Sequence, residues 1–171
     1  MGADNDGWPD LVLPVDSEIV NVYMLLNNHK GRFTRVPTNF GALANEAVLA
    51  DLNGDGNLDL VVNDQVYLGN GTGQFALDTT LYAGLGGDFD IVADVNGDGI
   101  PDVVMLALTV EVFLGLGDGT FQAPIFGFGA GPSPGDLLTV DAHGQPAGAG
   151  KPDLLLPDTT GGIFTLFNLT K

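Results

Sequence analysis

Short apolar runs set between polar, glycine-rich turns give this chain its rhythm. Leu11-Val12-Leu13 and Leu60-Val61-Val62 are bounded on both sides by Asp, Asn or Pro, and Val103-Val104-Met105 follows Asp102. Aliphatic runs that short, mostly β-branched and closed by turn formers, predict buried strands rather than helices. Two complete four-strand patterns can be drawn around them. One comprises Glu46–Ala50, Leu58–Asn63, Gln65–Leu68 and Gln74–Leu81; the other comprises Phe89–Ala93, Asp102–Leu106, Val110–Leu114 and Phe121–Phe126. Helical periodicity is nearly absent, and its best candidate, Phe40 to Leu49, fits a crossover into a strand at least as well. The least regular stretch, Gly127 to Gly135, reads as a loop.

An acidic loop precedes each apolar run. Asp51-Leu52-Asn53-Gly54-Asp55-Gly56-Asn57-Leu58-Asp59 places oxygen-bearing side chains at its first, third, fifth and ninth positions. The pattern returns as Asp94, Asn96, Asp98 and Asp102 and, short of its first ligand, as Asp4, Asp6 and Asp10. Such spacing suits calcium, a hard cation that takes about six to eight oxygen ligands, because a sharply turning loop aims alternate side chains at one point. Gly54 and Gly56 permit the positive φ that such a turn needs. The seventh position would offer its backbone carbonyl, which fits Asn57, Ile100 and Trp8 all standing there. An EF-hand is excluded, since it needs an acid at the twelfth loop position followed by a helix, and Val62 and Met105 occupy those positions.

A second signature alternates with the first: Tyr67-Leu68-Gly69-Asn70-Gly71-Thr72-Gly73-Gln74-Phe75, Phe113-Leu114-Gly115-Leu116-Gly117-Asp118-Gly119-Thr120-Phe121 and, more loosely, Leu25 to Phe33. Acidic loop, D-L-V-V strand and G-x-F turn together resemble the FG-GAP or VCBS repeats of integrin-α-like β-propellers, over almost the whole chain. The ninth-position aspartates step by 49, 43 and 51 residues from Asp10 to Asp59, Asp102 and Asp153, a period suited to four-stranded blades. The expected fold is therefore all-β: one propeller-type domain over 1–171, with units at about 1–39, 40–83, 84–128 and 129–171. The first unit is expected to lack its inner strand and the last its outer one. Such an array would be a fragment of a longer protein, be completed by a second copy as a homo-oligomer, or join a larger assembly. In the fourth unit, Asp141 to Asp153, the loop is four residues longer, Ala149 replaces the fifth-position acid and Lys151 intrudes. A weak or empty site is expected there, with His143 a solvated loop residue.

Charge sharpens the partner list. Five Lys and Arg against 22 Asp and Glu give a net charge of −17, which disfavours binding of the chain alone to nucleic acid or an anionic membrane. No apolar run reaches the length of a membrane span. With no cysteine, neither a disulfide nor a thiolate metal site is available. Few nucleophile and base candidates exist: His29, read as a turn residue, His143, Ser17 and Ser133. No enzyme is expected. Trp8 is read as packing at a blade edge, and Phe33, Phe75 and Phe121, recurring once per repeat, as core or inter-blade packing. Asn70-Gly71-Thr72 and Asn168-Leu169-Thr170 match the N-glycosylation pattern but carry little weight. The resemblance implies a secreted or surface-exposed recognition module, stabilised by structural Ca2+ and binding a glycan or protein in adhesion-type contacts. The alternatives are an accessory propeller of a polysaccharide-acting enzyme and a self-assembling structural half-propeller.

Overall fold

In a computed structural model, residues 2–15, 22–38, 40, 46–81, 89–106, 109–129, 138–140, 153–157 and 163–166 are described. They form strands and turns and no helix, so no helix there is long and apolar enough to cross a membrane. Four antiparallel meanders account for all the strands. The first sheet holds β1 (Leu11–Pro14), β2 (Val22–Asn27) and β3 (Phe33–Val36); the second holds β4 (Ala47–Ala50), β5 (Asp59–Val62), β6 (Gln65–Gly69) and β7 (Phe75–Thr80). The third holds β8 (Phe89–Ala93), β9 (Asp102–Leu106), β10 (Thr109–Phe113) and β11 (Ile125–Gly129), and the fourth β12 (Leu138–Val140), β13 (Asp153–Pro157) and β14 (Ile163–Leu166). Sequential neighbours pair throughout, as in propeller blades. Among the described residues the four sheets hold three, four, four and three strands.

One expected strand moves. The fourth strand of the third sheet is expected at Phe121–Phe126, but the ladder runs from Ile125 to Gly129. Phe121 makes only an isolated bridge to Gly115. Pro124 has no N–H to give a ladder, so continuous pairing with β10 begins just after it, at Val112 opposite Ile125. Gly127 to Gly129, expected in a loop, therefore belong to a strand.

The chain divides into two compact units, Met1–Gly86 with Gly117–Thr120, and Gly87–Leu116 with Phe121–Lys171. In the first unit the two sheets share a core of Val22, Phe40, Leu60, Val62 and Tyr67, with Val12, Ala47, Leu49 and Phe75 packed against it. Phe40 meets Tyr67 and Phe75 edge-on, with ring centroids 4.9 and 6.0 Å away. The turns add a second contact. A Cβ at Gly73 would lie 3.0 Å from Leu26, and one at Gly119 would lie 2.9 Å from Leu68, the corresponding leucine one repeat later. These two glycines let each G-x-F turn sit directly on a leucine of the preceding sheet. The second unit has its own core of Val104, Leu106 and Val110.

Burial is unequal at equivalent positions. Leu60 and Val62 are 0% and 1% exposed, whereas Leu11 and Leu13, which follow the corresponding aspartate in the first sheet, are 42% and 41% exposed. Phe75 packs into the core while Phe33, its counterpart, is 43% exposed. Cross-strand register sets Leu11 opposite Leu25 and Leu13 opposite Tyr23, so the first sheet presents one apolar face to solvent.

Candidate metal centre

The three acidic loops share one construction, and the ninth-position aspartate is its anchor. One carboxylate oxygen of Asp59 accepts the N–H of Leu52 at 2.9 Å, and the other accepts that of Gly69 at 2.8 Å. Asp102 does the same with Val95 and Gly115, both at 2.9 Å. Asp10 does so with Ala3 and Asn27, both at 2.7 Å. Each clamp ties the start of a loop to the residue that opens the G-x-F turn, 10, 13 or 17 residues downstream. Asp59 and Asp102 are fully buried. Two charge-assisted donors apiece offset part of the cost of burying an ionised group.

The first- and third-position residues hold the loop's turns. Asp51 accepts the N–H groups of Gly54 and Gly56 at 2.8 and 3.0 Å, and Asp94 those of Gly97 and Gly99 at 2.6 and 2.8 Å. Asn53 accepts from the N–H of Asp55, and Asn96 from that of Asp98. Asp55 then accepts from Asn57 at 2.7 Å, and Asp98 from Ile100 at 2.8 Å. Gly54 and Gly56 take φ of 73° and 84°, the left-handed conformation that the turn requires; in the first loop Asn5 adopts it at φ 57° instead. Neighbouring loops touch, because the Asn5 side-chain amide donates to Asn57 Oδ1 at 2.6 Å.

The first loop departs further. Gly2 stands at its first position, and a Cβ there would overlap the carbonyl of Trp8. Asp6 accepts the N–H of Trp8 at 2.8 Å and is paired with His29. Trp8 stacks on His29 with ring centroids 5.1 Å apart and an interplanar angle of 21°, yet Trp8 remains 49% exposed. The expected edge packing is thus only half realised. His29 is a turn residue, with φ 62°.

The electrostatics of the loops are strained in one direction. Burial pushes the carboxyls of Asp59 and Asp102 above the usual carboxylate range, against the lowering effect of their N–H donors. The charges of Asp55 and Asp51 add to the rise at Asp59, and that of Asp98 adds to it at Asp102. Asp4 is likewise raised by burial, helped by Asp10 and Asp6. Asp55 is held low by the N–H of Asn57, and Asp6 by its bond to His29. An acid with a raised folded-state pKa stabilises the fold most below the ordinary carboxylate range and loses that contribution as pH rises through the raised value. Desolvation and the neighbouring acids thus oppose ionisation of Asp59 and Asp102 in the folded chain.

That donor set suits a hard cation. Asp51, Asn53, Asp55 and Asp59, with the Asn57 carbonyl, offer only oxygen, as do Asp94, Asn96, Asp98 and Asp102 with the Ile100 carbonyl. Carboxylate oxygens that accept one N–H keep a further lone pair. Among the described residues no three His, Cys, Asp or Glu side chains stand together as a ready-made cage, so hydrogen bonding to the backbone shapes the loops. Asp141 to Lys151 and His143 lie outside the described residues.

A cleft of about 300 Å³ opens beside the end of β3, lined by Pro37, Thr38, Phe40, Gln74 and Phe75 among others. Its Thr38 hydroxyl is committed inward to the Val22 carbonyl.

With this geometry in hand, residues 3–62 match the family described as FG-GAP-like repeat. The match spans the first two acidic loops and the strands between them. No curated protein sequence matches the chain significantly. Among solved structures, the fold is similar to an Agrocybe aegerita lectin described by its specific recognition of non-reducing terminal N-acetylglucosamine. The TM-score is 0.56 at 26% identity, over 88% of this chain and 47% of the lectin chain. The chain thus spans about half the length of that relative.

Asp59→Asn and Asp102→Asn each replace one accepting oxygen by an amide that faces a backbone donor. Each should cost about 2–3 kcal/mol in urea unfolding. Equal stability of variant and parent would remove the clamp from the account.

Proposed function

We propose that this chain, which carries an FG-GAP-like repeat over residues 3–62, is a calcium-stabilised recognition module that binds a glycan. The observation that carries the reading is its likeness, over 88% of its length, to a lectin that recognises non-reducing terminal N-acetylglucosamine. Calcium would be held by Asp51, Asn53, Asp55 and Asp59, and by Asp94, Asn96, Asp98 and Asp102, with the carbonyls of Asn57 and Ile100. A third ion, at Asp4, Asp6, Asp10 and the Trp8 carbonyl, would bind more weakly, because Gly2 brings no carboxylate and Asp6 already holds His29.

The ion's contribution is structural: positive charge among crowded carboxylates offsets their repulsion and fixes the loops that carry the recognition surface. Weak-affinity calcium loops suit a secreted or surface-exposed setting.

One observation favours a second reading, self-association. Leu11, Leu13 and Phe33 are exposed where the second sheet buries its equivalents, and three of the five cationic residues, Lys30, Arg32 and Arg35, lie beside that face on an otherwise acidic chain. A second copy would cover it.

Calcium titration should give saturable heat and raise the melting midpoint, chelator should reverse both, and a glycan array should retain the calcium-loaded chain on terminal N-acetylglucosamine. No heat with calcium, or an array without signal, contradicts the corresponding half of the proposal. For self-association, sedimentation at rising concentration should show a dimer or larger species that Leu11→Glu dissolves; a strict monomer throughout rejects it.

A further inference from the structure

The calcium loop asks only for a backbone carbonyl at its seventh position, which leaves that residue's side chain for other work. In the second loop Asn57 spends its side chain on Asn5. In the third, Ile100 packs over Gly115, where a Cβ would lie 2.9 Å from its branched methyl. In the first, Trp8 instead turns outward. His29 covers one face of its indole, at 5.1 Å and nearly parallel, and half of the residue's surface stays open to solvent.

The support behind the ring is built in layers. His29 takes a left-handed backbone conformation at the position where the equivalent turns use Gly71 and Gly117. Its N–H donates to Asn27 Oδ1 at 2.9 Å, and its ring is tied to Asp6. Asp6 in turn accepts the N–H of Trp8. The carboxylate thus ties the imidazole to the Trp8 backbone while the imidazole backs the indole, so a ligand that stacks on the open face meets a ring supported from behind.

We infer that the open face of Trp8 is a stacking platform for the apolar face of a pyranose ring, with His29 and Asp6 as positioning residues. A rigid, exposed indole with polar groups at its rim is the surface chemistry that a sugar needs: C–H groups over the ring and hydroxyls toward neighbouring donors and acceptors. Polar groups at that rim are the His29 ring and the Asp6 carboxylate. The cleft beside Phe40 is the weaker candidate, because its aromatic floor is buried and its threonine hydroxyl is committed inward. The inference rests on the glycan reading and assigns that reading a place.

Trp8 is the single tryptophan of the chain, so its fluorescence reports this site alone. Titration of the calcium-loaded chain with an oligosaccharide ending in N-acetylglucosamine, followed by emission and by calorimetry, should give one midpoint by both. Trp8→Ala should weaken the calorimetric affinity about tenfold or more without lowering the melting midpoint. His29→Ala should weaken it less while shifting Trp8 emission in the free protein. Binding heat with unchanged emission, and full affinity in Trp8→Ala, would overturn the platform and leave the glycan reading standing. No heat and no emission change with any glycan on the array would overturn both.

Discussion

One carboxylate that accepts two backbone N–H groups, fully buried at Asp59 and Asp102 and half-buried at Asp10, organises each of the three described acidic loops. Asp59 joins Leu52 to Gly69, Asp102 joins Val95 to Gly115, and Asp10 joins Ala3 to Asn27. The constraint comes from geometry. An acidic loop and a hairpin turn meet at the same end of a sheet, and both present backbone donors that water cannot reach once the sheet is packed. One side chain with two acceptors satisfies both at once. The apolar run that follows starts from a fixed point, so Leu60 and Val62 enter the core in register.

The clamp also explains why the loops stay ordered before any ion is considered. Their first, third and fifth residues are engaged with the loop's own backbone. The turn is thus prepared for a cation, and the cost left over is electrostatic: buried Asp59 and Asp102 are pushed toward protonation by desolvation and by the acids beside them. Calcium, as proposed, would relieve that cost without having to build the loop. In the first repeat, where Gly2 and the Asp6–His29 pair break the pattern, the same scaffold frees an aromatic ring to face solvent.

Much of this was legible in the chain. Repeated D-x-N-G-D-G loops ahead of short aliphatic runs were enough to place strands in the second and third sheets, because period and turn chemistry agreed there. The misplacement at Phe121 arose because Pro124 denies the strand a donor there. Other features could not be read locally. The ninth-position aspartates looked like terminal metal ligands, and their second partner lies 10 to 17 residues away at a residue whose contribution is only an N–H. The L-G step at Leu68-Gly69 and Leu114-Gly115, L-N at Leu26-Asn27, was the available signal. Trp8 was assigned to packing because nothing in its own loop reveals that His29, 21 residues on, meets just one face of it.

The central claim is that these aspartates, rather than strand pairing alone, hold loop and hairpin together. Residue-resolved hydrogen exchange in the presence of calcium tests it directly, since the clamped amides of Leu52, Gly69, Val95 and Gly115 are individually observable. The account predicts protection at these four amides comparable to that of Val61 and Val104 in the central strands. Exchange at the rate of unstructured peptide would contradict it.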